Sequence, residues 1–151
     1  MHRRTERGFS LIEVVIALGL LAGVLISISG LFVIGGNQVK SGRSSSEAIA
    51  VGRTILEEMN KWGFRQTYGM FGYDGAATSY SVDTRVNSYA AKWQPLLTPK
   101  LVNARAIVTL QSLAPSGTPA MNATRAIRVL VTVYWDEGAR HRTVQLGTVR
   151  M

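Results

Sequence analysis

The chain has 151 residues, a formal net charge of +8 and no cysteine. At this length we expect one domain at most besides an extended helix, and the lack of cysteine excludes disulfides, so an exported product depends on packing for its stability. Hydrophobic residues make up 46% of the chain, an ordinary share for a globular protein, but they are concentrated at the N-terminus.

Residues 1–8 form a polar leader with Arg3, Arg4 and Arg7, too short to fold by itself. A secretory signal peptide is cut after its apolar region, beside small residues. A cut before that region leaves the product able to enter a membrane. Because positive residues stay on the cytoplasmic side, the arginines predict a cytoplasmic N-terminus and a periplasmic C-terminal region.

Residues 9–36 form an apolar segment in which Glu13 is the one charged residue. The segment exceeds the roughly 20 residues that a transmembrane helix needs. A carboxylate within such a helix is costly and usually has a partner. Glu13 therefore either reaches the headgroup interface near the helix end or forms an ion pair with a group from another chain.

The basic leader, residues 8–14 and the apolar segment together resemble the processing site of type IV prepilins and type II secretion pseudopilins. The resemblance implies that prepilin peptidase cuts after Gly8, that Phe9 becomes N-methylated, and that Glu13 is the acidic residue carried by nearly all members. It also implies that the apolar segment stays in the product. The cut removes three arginines and one glutamate, which lowers the net charge from +8 to about +6.

The resemblance gives Glu13 an assembly role. Cleavage creates an α-amine on Phe9, one helical turn from Glu13, and a neighbour's amine relieves the cost of the buried carboxylate upon docking. Ser10 is a candidate hydrogen-bonding residue nearby. Gly19 and Gly23 have a spacing that permits close helix approach, although glycine is also common in membrane helices generally.

Many major pilins carry a proline further along this helix, but the first proline here is Pro95. Gly30, or the pair Gly35 and Gly36, supplies at most a weaker break, since glycine costs about 1 kcal/mol in a helix interior. This departure fits minor pilins and pseudopilins better than an abundant major pilin.

Residues 37–63 are predicted to continue the helix as an amphipathic segment. Hydrophobic residues recur there at three- and four-residue spacing: Ala48, Val51, Ile55, Met59 and Trp62. Ser44 and Glu47 alternatively form a capping box that starts a fresh helix. Gly63 is predicted to end the helix. The hydrophobic stripe is predicted to belong to the core rather than to a cofactor site.

Residues 64–151 are predicted to form the periplasmic region, irregular up to residue 103 apart from a short strand at 80–84, with a loop at 92–95. Strands are predicted at 106–113, 125–135 and 142–149, with loops at 115–119 and 136–139. The alternating face from Ile127 to Trp135 should pack on the helix stripe. Four aromatic residues either pack under a loop or contact other subunits: Tyr68, Phe71, Tyr73 and Trp93.

The fold class is therefore α+β, a long N-terminal hydrophobic α-helix packed on a small C-terminal antiparallel β-sheet, which is the type IV pilin fold that the resemblance implies. No nucleophile–base pair or metal-ligand pattern involves His2 or His141, and acidic residues are usual in a turn such as Asp136-Glu137. We expect no enzyme, no metal and no cofactor. No dense basic cluster follows Arg53, so the positive charge is expected to be solvated surface.

The resemblance implies a structural minor pilin of a type IV pilus, placed in the filament or in the tip complex that primes its assembly. Its partners would be other pilin or minor pilin subunits, prepilin peptidase, the inner-membrane assembly platform and, before assembly, membrane lipid. Three alternatives remain: a type II secretion pseudopilin, a minor pilin that binds nucleic acid during DNA uptake, and a signal-anchored membrane protein that is never processed.

Overall fold

The computed structural model describes residues 10–114 and 119–151, which form helices and one antiparallel sheet. Helix α1 spans Leu11–Asn60, helix α2 spans Gln66–Gly69, and strand β1 spans Ser79–Asp83. A 3-10 turn at Ala90–Trp93 leads into helix α3, Gln94–Leu97. The remaining strands are β2 at Val102–Leu113, β3 at Ala126–Glu137 and β4 at Arg140–Arg150. The α+β class predicted from the sequence is confirmed.

The chain divides into two compact units, Met1–Lys40 and Ser41–Met151. The described part of the first unit is helix alone. The second unit contains the C-terminal part of α1, the short helices and the whole sheet.

The four strands lie in the order β1-β2-β3-β4, and each neighbouring pair is antiparallel. The connection between β3 and β4 is a two-residue turn, because Glu137 pairs with Arg140. Gly138 opens that turn with a φ of 61°, a conformation that glycine adopts without steric cost. The predicted turn at 136–139 is thus correct in place but shorter, since Asp136 and Glu137 still belong to β3.

The core of the second unit lies between α1 and one face of the sheet, as the alternation of residues 125–135 predicts. The helix stripe Ala48, Val51, Ile55 and Met59 is buried, and so is the sheet face Ile127, Val129, Val131, Val133 and Trp135. Helix and sheet approach each other closely at Gly52. A Cβ placed there would lie 2.5 Å from Leu146 Cδ1 and 3.7 Å from Val133 Cγ2.

Aromatic side chains close the core beneath the segment between α1 and β2. Trp93, Tyr68 and Phe71 are buried, so packing within the chain, not subunit contact, accounts for them. Trp62 and Tyr73 pack against the core while partly exposed. The alternative that all four predicted aromatic residues face other subunits is wrong for the three buried ones.

An ion pair between Lys92 and Glu58 connects this segment to the end of α1. Lys92 Nζ forms an ion pair with Glu58 and lies 3.8 Å from the ring centroid of Tyr89. Trp93 Nε1 donates to the second oxygen of Glu58 at 2.6 Å. Burial opposes ionisation of Glu58, but the hydrogen bonds from Lys92 and Trp93 outweigh it and lower the pKa of Glu58.

Three local predictions need correction. The helix is continuous through Ser44, so the alternative of a fresh helix capped there is wrong. The helix ends at Asn60, three residues before the predicted stop at Gly63. Residues 92–95 form helical turns rather than a loop, because Pro95 occupies the first turn of α3, where a missing N–H costs nothing.

The structure confirms the remaining strand predictions, with β1 shifted by one residue and β2 beginning four residues earlier than expected. The segment containing Gly30, Gly35 and Gly36 is helical throughout. The predicted loop at 115–119 falls mostly on residues 115–118, which lie outside the described residues.

Candidate processing and assembly segment

The candidate site is the start of α1, where the sequence analysis predicts processing and assembly. The Ser10 carbonyl accepts hydrogen bonds from the backbone N–H groups of Glu13, at 3.0 Å, and Val14, at 3.2 Å. Glu13 therefore lies in the first helical turn, where the partial positive charge of the helix N-terminus favours a carboxylate. Ser10 and Glu13 are both exposed to solvent. Gly8 and Phe9 lie outside the described residues.

The surface of α1 after Glu13 is an exposed apolar cylinder. Leu31, Phe32 and Val39 are 69%, 76% and 75% exposed, and the large apolar side chains at positions 11–39 are all between 43% and 84% exposed. In water such a surface is strongly unfavourable, at about 25 cal/mol per Å² of apolar area. α1 is the one helix within the described ranges that is long and apolar enough to cross a membrane.

The length of the uncharged part of α1 matches a bilayer. No charged residue occurs from position 14 to position 39, which at 1.5 Å per residue is roughly 39 Å of helix. The hydrocarbon core of a bilayer is about 30 Å thick. The uncharged stretch therefore suffices to cross a membrane, with a margin at either end.

The few polar groups within this stretch are satisfied by the helix itself. Ser27 Oγ donates to the Gly23 carbonyl at 2.9 Å, and Ser29 Oγ donates to the Leu25 carbonyl at 2.8 Å. Hydroxyls bonded in this way add little polarity to an apolar environment. Glu13 is thus the one charged side chain on the described helix before Lys40.

Asp136 and Glu137, at the end of β3, have hydrogen-bond partners within the second unit. Asp136 accepts a hydrogen bond from Asn103 at 2.9 Å and contacts His141 Nδ1 at 2.6 Å. These hydrogen bonds, that from Asn103 first, lower the pKa of Asp136. Glu137 accepts from Ser41 and Arg142. Within residues 10–114 and 119–151 no cluster of three or more His, Cys, Asp or Glu side chains is arranged to hold a metal ion.

One structural role was missed by sequence reasoning. Arg150 donates to the backbone carbonyls of Met59 and Trp62, at the C-terminal end of α1. A cation at this place stabilises both the unpaired carbonyls and the negative end of the helix dipole. No local sequence signal links Arg150 to residues about 90 positions earlier.

These features define a class of protein, one with an N-terminal apolar helix suited to a membrane and a small C-terminal αβ unit. The family model for the prokaryotic N-terminal methylation motif matches residues 3–34. That motif is the signature of type IV pilins and pseudopilins, and the long N-terminal helix fits it. The match points to a structural protein processed by prepilin peptidase rather than to an enzyme. No curated protein and no solved structure matches the chain at the similarity required.

Proposed function

We propose that the chain is a minor subunit of a type IV pilus, cut after Gly8, N-methylated at Phe9 and then assembled into the filament or its tip complex. The observation that carries the proposal is the pairing of a methylation motif with an exposed apolar helix that has one carboxylate, Glu13, in its first turn. Such a helix needs lipid before assembly and other apolar helices after it.

The proposed role of Glu13 follows from electrostatics. An ionised carboxylate in an apolar environment is costly, and removing one partner of a buried pair leaves the other uncompensated. The α-amine of a neighbouring subunit's Phe9 is a cation of the right sign. Docking in register then satisfies both groups, whereas a shift by one helical turn separates them by about 5.4 Å more.

The glycines of the first unit support close packing against another chain. A Cβ on Gly19 or Gly23 would meet no atom of this chain within 4 Å. Each glycine costs about 1 kcal/mol relative to alanine in a helix interior, and the chain's own packing gives no reason for either. Close approach by a second helix supplies one.

The proposal includes the organisation of the chain and its place in the cell. Residues 1–8 are the cleaved leader, 9–36 the membrane and filament-core helix, 37–63 its amphipathic continuation, and 64–151 the periplasmic region. The subunit waits in the inner membrane with its N-terminus cytoplasmic, and meets prepilin peptidase and the assembly platform there. A type II secretion pseudopilin shares all of these properties.

The experiment compares Glu13→Val with Glu57→Gln, expressed in cells that lack the native copy. Glu57 is an exposed glutamate on the same helix, outside the apolar stretch, so it serves as a matched control. We expect both variants to insert into the membrane, and only Glu13→Val to be lost from sheared filaments. Equal incorporation of the two variants would refute the docking role.

A deletion of the whole gene separates the two machines. Loss of surface pili with normal secretion of type II substrates is expected for the minor pilin. Loss of secretion with intact pili would replace it with the pseudopilin alternative. A membrane-bound product that still carries its leader in cells with active prepilin peptidase would support the unprocessed signal anchor instead.

A further inference from the structure

The ion pairs around the start of the second unit share one arrangement, in which the basic residue faces solvent and the acidic residue faces the protein. These pairs are Arg43 with Glu47, His141 with Asp136, and Arg142 with Glu137. The basic side chains are 43–89% exposed, whereas the acidic side chains are only 20–27% exposed. The pair of Lys92 and Glu58, near the end of α1, shows no such difference.

The three pairs gather around Ser41, the first residue of the second unit. Ser41 Oγ donates to Glu137 Oε2 at 3.0 Å, and Arg142 Nε donates to the same oxygen at 2.9 Å. Arg140, which pairs with Glu137 across the β3–β4 turn, is exposed. Arg43 follows Ser41 by two residues on α1. The β3–β4 turn therefore lies beside the point where α1 enters the second unit.

Further hydrogen bonds extend this basic surface across the sheet. Asp136 accepts from Asn103 Nδ2 at 2.9 Å, and Arg85 donates to Asn103 Oδ1 at 2.8 Å. The exposed basic residues of this end form what we call the proximal surface: Arg43, Arg85, Arg140, His141 and Arg142. Sequence analysis missed the surface because its members come from three separate parts of the chain.

The other acidic residues of the second unit do not neutralise the proximal surface. Asp83 is 20% exposed and is paired with Arg105, again the more exposed partner. Glu57 and Glu58 lie roughly 21 Å or more beyond Arg43 along α1. Asp74 accepts from the Tyr80 hydroxyl near the start of β1, toward the opposite end of the sheet.

Two exposed valines lie among the proximal cations. Val86 and Val102 are 83% and 71% exposed, and among the large hydrophobic side chains described in the second unit only Met151 is more exposed. Val86 directly follows Arg85, and Val102 pairs with Asp136. An exposed apolar group beside outward cations is the combination that membrane interfaces bind, since the apolar part enters the headgroup boundary and the cations meet anionic lipid.

The position of Ser41 in the chain places this surface near a bilayer. Ser41 follows Val39, the last residue of the uncharged stretch, by two residues, or about 3 Å of helix. If that stretch crosses the membrane, Ser41 lies at the level of the headgroups, and so do the side chains gathered around it.

From these observations, and resting on the proposed function for the membrane-spanning helix, we propose that the proximal surface docks on anionic lipid headgroups of the leaflet from which α1 emerges. The bilayer is the occupant that the chain itself brings to this place, because the surface surrounds the residue where the helix leaves it. The anchor also makes docking intramolecular, so a few weak contacts suffice. Docking holds the second unit against the leaflet until the subunit is extracted.

The experiment measures quenching of a fluorescent label by nitroxide-bearing headgroups in neutral nanodiscs, with and without phosphatidylglycerol. Since the chain has no cysteine, Ala139→Cys gives a unique labelling site in the β3–β4 turn, and Ala123→Cys gives one at the opposite end of the sheet. The test variant is Arg43→Gln with Arg140→Gln. The control variant is Arg65→Gln with Arg125→Gln, which removes the same charge from the opposite end.

We expect phosphatidylglycerol to increase the quenching of the label at position 139 and not at position 123. Each Lys or Arg near an anionic surface strengthens the attraction roughly fivefold, so the test variant should lower the ratio of docked to undocked protein roughly 25-fold. The control variant should retain the parent ratio. The increase should disappear between about 0.1 M and 1 M salt, as the Debye length falls from about 10 to 3 Å.

Equal quenching in neutral and anionic nanodiscs would overturn the proposal, as would equal losses in the test and control variants. If the test variant keeps the parent quenching but is lost from sheared filaments, the surface is a contact between subunits, and the lipid proposal is wrong. Matching tryptophan fluorescence of all variants confirms that each remains folded.

The nanodisc experiment contains no assembly machinery and uses the chain with its leader. A failure of Glu13 in filament assembly and a failure of lipid docking are therefore separate results. Insertion into nanodiscs without lipid-dependent quenching would contradict the docking alone, whereas a chain that does not insert would contradict the membrane anchor as well.

Discussion

The close approach of α1 to the sheet at Gly52 gives a prediction with a magnitude. A Cβ on Gly52 would lie 2.5 Å from Leu146 Cδ1, well inside van der Waals contact. On the same helix, a Cβ on Gly42 would meet nothing within 4 Å. The two glycines thus form a matched pair, one buried against the sheet and one exposed.

Each Gly→Ala change gains helix propensity of about 1 kcal/mol. At Gly42 that gain is the whole effect, and stability should rise by about 0.5–1 kcal/mol. At Gly52 the gain is offset by overpacking, which costs about 1–3 kcal/mol. Because Leu146 is half-exposed on the edge strand and its side chain can turn away, we expect the lower part of that range and a net loss of about 0.5–1 kcal/mol.

The assay is urea unfolding of the full chain in mild detergent, followed by tryptophan fluorescence, since Trp62, Trp93 and Trp135 all lie in the second unit. The double variant Gly52→Ala with Leu146→Ala should recover part of the loss expected from the sum of the single changes. If Gly52→Ala and Gly42→Ala raise stability equally, the helix does not approach the sheet as closely as described.

Two further predictions concern the end of α1. Folding lowers the pKa of Glu58, so the stability that ionised Glu58 contributes is present above the unfolded pKa of about 4.3 and is lost as the pH falls through the folded value. In Glu58→Gln, the drop in the free energy of unfolding between pH 6 and pH 3 should be smaller by about 0.5 kcal/mol. The effect is small because Glu58 and Lys92 are about one-third exposed. Equal acid sensitivity of the parent and Glu58→Gln would count against the pair. Arg150→Met should lower the free energy of unfolding by about 1.5 kcal/mol through lost hydrogen bonds to the helix carbonyls, and an unchanged urea midpoint would contradict that assignment.

The parts of the fold that the sequence predicted are those with local, periodic signals. The alternation around Val129 and Val131 identified β3 and its buried face, and the spacing of Ile55 and Met59 identified the buried stripe of α1. Both signals depend only on which side chains share a face. The hairpin of β3 and β4 followed from a glycine between two such strands.

The parts that the sequence did not predict depend on contacts between distant residues. Glu58 and Lys92 are 34 positions apart, and nothing near either residue indicates the other. The helical turns around Pro95 were predicted as a loop because proline was taken as a breaker, although it is favourable in a first helical turn.

The candidate site shows the opposite pattern. Gly8, Phe9 and Glu13 are close in sequence, so the motif can be recognised from the sequence without knowledge of the tertiary structure. What the structure adds is the exposed apolar surface of α1 and the position of Glu13 in its first turn. The proposed contact between Glu13 and Phe9 joins two subunits, so the structure of one chain does not contain it.

The central claim is that maturation frees an α-amine on Phe9, and that its partner is Glu13 of a neighbouring subunit, the one carboxylate in the apolar part of α1. Intact-mass and terminal-peptide mass spectrometry of the membrane-extracted protein tests this most directly, with Gly8→Ala as the comparison. We expect the parent chain to begin with a singly methylated Phe9 and the variant to keep its leader. A parent chain that retains residues 1–8 in cells with active prepilin peptidase would contradict it.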